Sequence, residues 1–443
     1  MKNNIYMKNR IKYLVLLFLT LTMYYGCGKD AAPVLYDAYK DKGTPDPVVT
    51  SVSPQNVAYA GLDTLTITGS NFSDSAHTLV YFDNVAGTVI SSTPTQIRVK
   101  VPNLPKDALA IRVVVTTASN NAAPVAYALK EVQSAFFKGF LYMDQPQTIT
   151  FDKEGNLYIS QSTNNAFQGL KKIDGNKNLT DYAPKGTSSA WSALKFVYGD
   201  AWKAPSSGQL LGARKKKGIW KIDQGTAPAS TPFIGAPIGV DQNIYDFDFD
   251  PSGNLWAAGE GLNIFKVKPD LSQATKYKFA NTSSKINAVR VFKDNNTLYV
   301  YVGGTKDGKE GVWRYKVVND EIVAGSEELY FDFAAAYPGI NSAGFPFAVL
   351  GLTFSKDGYM YIGTDADPAI VVVSPSKTAS ALLPGVVIPK FASFVWNSYD
   401  KVNGQNLVYS RSSMDSEQAT EFYAKIFSTK MFKQGAPYYG LEL

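Results

Sequence analysis

One phrase recurs along the chain: FDKEGNLYIS from Phe151, FDPSGNLWAA from Phe249, FSKDGYMYIG from Phe354 and FKDNNTLYVY from Phe292. Each copy reads as a strand ending on the Phe, a polar turn, and a returning strand that opens on an apolar residue and an aromatic. Gly155, Gly253 and Gly358 sit where such a turn needs a positive φ. Two degenerate copies join them, around Phe196 in LKFVYGDAWKAPSSGQLLGAR and Phe394 in SFVWNSYDKVNGQNLVYSR. The six Phe positions are separated by 45, 53, 43, 62 and 40 residues, a period that accommodates one four-stranded antiparallel sheet per copy.

A third strand can be read after each of five turns: Leu170 to Ile173, Gly218 to Ile222, Ile264 to Val267, Gly311 to Tyr315 and Ile370 to Val373. The spacing of 62 places an insertion around Tyr330 to Phe345. This pattern resembles NHL-type β-propellers and implies six blades over residues 131–443. Such a ring has to be closed, and a strand around Ala135 to Leu141 pairing with the last blade is expected to do it.

Upstream, short alternating runs rich in β-branched residues (Thr64 to Thr68, Leu79 to Phe82, Gln96 to Val101, Ile111 to Val115) are divided by Gly, Pro, Asn and Asp. They predict a β-sandwich. Val52-Ser53-Pro54, Gly61, the phrase TITGSNF from Thr66 to Phe72 and Val99-Lys100-Val101-Pro102 resemble the IPT/TIG immunoglobulin-like domain, assigned to residues 47–130. The expected fold is therefore all-β, with an IPT/TIG sandwich followed by a six-bladed β-propeller. IPT/TIG modules act as spacers or interaction modules, so the resemblance implies a fold and little chemistry.

The N-terminus carries Lys2, Lys8, Arg10 and Lys12, with no acid before Asp30, followed by the apolar run YLVLLFLTLTM. Eleven residues are short for a bilayer span and suit a signal-peptide core. Cys27, the lone cysteine, follows directly in YYGCGKD. Residues 1–26 resemble a bacterial lipoprotein signal, which implies lipidation of Cys27; residues 27–46 then read as a tether. Tyr24 and Tyr25 depart from the usual residues of that signal. Signal, lipidated Cys, tether, sandwich and propeller together resemble Bacteroides-type surface lipoproteins. That likeness implies lipid anchoring in the outer membrane, exposure at the cell surface and partnership with outer-membrane uptake proteins.

The formal net charge of +6 falls to +2 once the four N-terminal cations are set aside, which disfavours nucleic acid as a partner. The one histidine, His77, lies in the sandwich, so the propeller lacks His-based zinc sets, nucleophile triads and imidazole bases. The basic run Arg214-Lys215-Lys216-Lys217 reads as a solvated turn, and the Gly- and Tyr-rich C-terminus as a segment closing the chain against the ring.

The reading is a non-enzymatic binding protein that needs no cofactor. Trp191, Trp202, Tyr245, Asn287, Trp396 and Tyr399 are the candidate ligand-binding residues, because aromatic faces stack on sugar rings and amides bond their hydroxyls. Packing between blades is the competing role for each aromatic. The expected partner is a glycan or polysaccharide. The alternatives are a protein-binding scaffold and a gluconolactonase-like or lyase-like enzyme. The enzyme would hold a divalent cation such as calcium through Asp246, Asp248 and Asn287. In IYDFDFD these acids alternate with aromatics, which equally suits hydrogen bonds from blade to blade or a wet channel lining.

Overall fold

The computed structural model describes residues 43–341, 343–387, 391–397, 405–411 and 425–442. Cys27, Tyr399, the signal and most of the tether lie outside them. The described residues form two compact units, almost wholly of β-strands.

In the sandwich, one sheet orders Val48–Ser53, Thr64–Ser70, Gln96–Lys100 and Thr88–Thr93. The other orders Val57–Tyr59, Val125–Lys130, Lys106–Val115, Thr78–Phe82 and Val85–Ala86. The period-two pattern does what a half-buried strand requires: Leu65, Ile67, Val80, Phe82, Ile97, Val99, Ile111 and Val113 are buried. The TITGSNF phrase has a steric basis. A Cβ on Gly69 would stand 1.9 Å from the Val48 carbonyl oxygen on the neighbouring strand, so only glycine fits.

The larger part of the second unit consists of six antiparallel sheet repeats, the third and fourth joined into one ten-stranded sheet, with inner strands Asp144–Phe151, Ala193–Val197, Asn243–Phe249, Ser284–Asp294, Val349–Phe354 and Phe391–Trp396. Each inner strand lies beside that of the next sheet, and the sixth lies beside the first. The third and fourth sheets also share one ladder pair, Glu260 with Lys285. The unit is β-propeller-like. Gln133–Phe137 pairs with Ile426–Lys433 as the outermost strand of the sixth sheet. It begins two residues before the expected Ala135 and ends short of Leu141, which is exposed.

The repeated phrase forms the turn out of each inner strand. Gly155, Gly253 and Gly358 have φ of 86°, 84° and 86°, and the copy without glycine uses Asn295 and Asn296 at 45° and 65°. The Asp after the Phe holds the turn. Asp250 accepts hydrogen bonds from the backbone N–H of Ser252 and Asn254, the Asn254 amide and the Trp256 indole. Asp152 does the same with Asn156 and Tyr158.

Six apolar clusters fill the spaces between successive sheets. One joins the sixth sheet to the first through Ile149, Phe151, Val408 and Ile426. The aligned Phe residues are part of this packing: Phe292 and Phe354 stack at 4.5 Å with planes 3° apart. Glu328–Phe331 pairs with Lys309–Val318 as the outer strand of the fourth sheet, and the short helix Phe333–Ala336 lies in the expected insertion.

Candidate functional site

A cavity of about 690 Å³ lies on the axis of the second unit, lined by the inner strands of the first to sixth sheets and by the C-terminal segment. One wall is apolar, with Leu350, Phe394 and Trp396; another carries Lys195, Asp246, Asn287 and Arg290.

The polar wall is built across three sheets. Lys195 leaves the second sheet, Asp246 and Asp248 the third, and Arg290 the fourth. Lys195 Nζ lies 3.3 Å from Asp248 and 3.6 Å from Asp246, within ion-pair reach but without an aligned hydrogen bond. Arg290 Nη1 stands 3.4 Å from Asp248, and its Nη2 donates to Thr353 Oγ1 at 3.2 Å. The acids also join sheets: Asp246 accepts from the Val289 N–H at 2.8 Å, and Asp248 from the Val291 N–H at 2.9 Å. Burial pushes the Asp246 carboxyl up and the Lys195 ammonium down, although each charge partly offsets the effect on the other.

The C-terminal segment lines part of the cavity. Lys356 N–H donates to Gln434 O, Ala436 N–H to Phe354 O, and Gly435 N–H to Gln405 Oε1. Further along, the Tyr438 hydroxyl donates to Phe196 O, and Tyr198 N–H to Gly440 O. The segment therefore crosses from the fifth and sixth sheets to the second, past the ends of the inner strands. It does more than close the chain, because Gln434 to Tyr438 line the cavity. Gly435 allows the close approach: a Cβ there would stand 2.4 Å from Trp396 Cγ.

The structure divides the candidate residues. Asn287 and Trp396 line the cavity; Asn287 donates to Val349 O at 2.9 Å, while Trp396 is itself largely buried between the fifth and sixth sheets, edge-on to Tyr361, and its indole N–H has no partner among the described residues. Trp191 and Trp202 do not present ring faces to a ligand. Trp191 is buried between the first and second sheets, and its backbone bonds Thr148 and Ser160. Trp202 packs edge-on against Phe249 and donates its indole N–H to Gly253 O. Both rings are already covered by protein, because the connections carrying them fold down between sheets. Tyr245 is also buried and bonds Glu260.

The proposed cation ligands are engaged elsewhere. Asp246 and Asp248 face Lys195 and Arg290, whose charges oppose a divalent ion there, and among the described residues no acidic or Cys/His cluster of metal-binding form is present. Arg214 departs from the solvated reading of its run: it is buried, with its guanidinium 3.9 Å over the Trp220 ring, while Lys216 and Lys217 are exposed.

Sequence reasoning missed Lys195 and Arg290. A signal for Lys195 was available. The residue before the aligned Phe is Lys195 in one copy and Asp248 in the next, opposite charges at equivalent positions of adjacent sheets.

Residues 47–128 match the IPT/TIG domain family. No curated protein matches the chain. Among solved structures, a putative phosphatase from Bacteroides thetaiotaomicron VPI-5482 is similar at a TM-score of 0.52 and 12% identity, covering 87% of this chain and 97% of that one. An auxiliary nutrient binding protein from the same organism gives 0.47 at 10% identity, over 86% and 97%. The calcium-binding regucalcin of Agrobacterium tumefaciens gives 0.43 at 17%, over 67% and 93%. The first likeness supports the fold alone; the other two are more distant. Among the described residues no helix is long and apolar enough to cross a membrane.

Proposed function

We propose that this chain is an exported lipoprotein of the Bacteroides surface type, whose second unit is a closed six-bladed propeller that captures the end of a glycan in its axial cavity. Cys27 carries the lipid, residues 27–46 tether the body to the outer membrane, and the IPT/TIG domain acts as a spacer. The observation that carries the binding reading is the cavity itself. Phe394 and Trp396 line it together with Asp246, Asn287 and Arg290. Sugars present apolar C–H faces and a ring of hydroxyls, and this pairing of surfaces suits both.

A second reading places catalysis in the same cavity. The buried Lys195 and Asp246, with proton affinities displaced by desolvation, form the kind of pair that proton-transfer enzymes use. A glycan-array or affinity-gel screen of the protein beginning at Gly28, with and without chelator, separates the two. Retention without turnover supports capture; new reducing ends or unsaturated products support the enzyme; no retention on any polysaccharide contradicts capture.

A further inference from the structure

Taking the glycan reading as its premise, we infer that the axial cavity selects sugars bearing an oxyanion, a carboxylate or a sulfate ester, and seats that group against Arg290.

Hydrogen-bonding capacity is unevenly shared along the polar wall. The acids of the polar wall are largely committed: Asp246 accepts from the Phe247 and Val289 N–H groups, and Asp248 from Val291 while also facing two cations. The cations are under-used. Lys195 is 9% exposed and its ammonium has no aligned hydrogen bond. Arg290 makes only long contacts, at 3.2 to 3.4 Å, and its side chain is 17% exposed where it lines the cavity. A guanidinium offers five N–H donors in a planar fork that matches a carboxylate or sulfate. The wall has donors to spare and few free acceptors.

The surrounding charge points the same way. Lys153, Lys195, Arg290 and Lys356 line the cavity against the acids Asp246 and Glu442. Two of these cations lie beside the C-terminal segment: the Tyr438 ring lies 5.8 Å from the Lys195 ammonium and 5.9 Å from the Arg290 guanidinium. An oxyanion in the cavity meets Arg290, with Lys195 close by on the same wall.

The test is calorimetric titration of the protein beginning at Gly28 with four probes: a galacturonate trisaccharide, its methyl ester, a sulfated trisaccharide and its desulfated form. Arg290→Gln is titrated beside the wild type, with its melting temperature checked. The inference expects at least one charged probe to bind about tenfold or more tighter than its neutral counterpart, and Arg290→Gln to erase that preference. Which pair shows the preference tells carboxylate from sulfate. The ester and desulfated arms need no variant, so the result stands even if Arg290→Gln folds poorly. Equal binding of charged and neutral probes, or binding of neutral ones alone, overturns this inference and leaves glycan capture standing. Failure of every saccharide overturns both, and binding of a hexaglutamate peptide in that case assigns the cavity to an acidic protein partner.

Discussion

Gln133 and Thr429 face each other across an antiparallel ladder although 296 positions separate them in the chain. The Gln133 side chain accepts hydrogen bonds from Thr429 and Tyr409 and donates to the Val386 carbonyl. The strand that precedes the first sheet thus supplies the outer strand of the last, covering Ile426 to Thr429 of the Ile426–Lys433 strand.

Gln133→Ala removes all three contacts. It is expected to cost about 1–3 kcal/mol, read by urea unfolding of the protein beginning at Gly28. A midpoint unchanged from the wild type counts against the closing role of this strand.

Asp250→Asn tests the turn phrase. Asp250 Oδ2 accepts from the Asn254 amide and the Trp256 indole, and Oδ1 from the Ser252 and Asn254 backbone N–H groups; an amide has one oxygen and can serve only one of these two pairs. The loss is expected at roughly 2 kcal/mol. Asp174→Asn, in an exposed turn with the same Asp-to-Asn bonds, should cost less. Equal losses contradict the view that burial sets the difference.

The two tryptophans Trp202 and Trp396 should part company. Trp202→Phe loses the indole bond to Gly253 O and should cost about 1 kcal/mol of stability while leaving glycan retention unchanged. Trp396→Ala removes a cavity wall and should weaken retention on affinity gels. Reduced retention for Trp202→Phe in a fully folded protein would restore it as a ligand contact.

These contrasts show where the sequence was legible. Turn positions, strand order and the insertion after Tyr330 follow from patterns that local chemistry enforces: an Asp that caps, a Gly or Asn at positive φ, and alternating apolar residues. Trp191 and Trp202 misled because a tryptophan outside a regular strand phrase looks like a loop residue. Whether such a connection lies on a face or dips between sheets depends on contacts between separate copies. Lys195 was overlooked because its own copy is degenerate, and its partner Asp248 stands 53 positions away. The C-terminal part of the cavity lining was not legible either, since Gln434 to Tyr438 take their meaning from strand ends in distant sheets.

Asp307 gives a pH test. Its carboxylate accepts from the backbone N–H groups of Thr282, Asn281 and Ser283 and from the Thr282 hydroxyl, which hold its pKa well below the usual 3.8. A folded-state pKa below the unfolded one contributes stability above the unfolded value, and that contribution fades as pH falls through the folded value. Asp307→Asn should therefore melt lower than the wild type at pH 6, with the gap narrowing once pH drops below 3.8. A gap that holds constant through that range contradicts the assignment.

The claim that the axial cavity is the binding site is tested most directly by obstructing it. Ala392, half-buried on the cavity wall, can be replaced by Trp, and the glycan best retained by the wild type titrated into both proteins at matched melting temperature. The account predicts that Ala392→Trp abolishes binding while the fold persists; an affinity equal to that of the wild type would place the site elsewhere on the molecule.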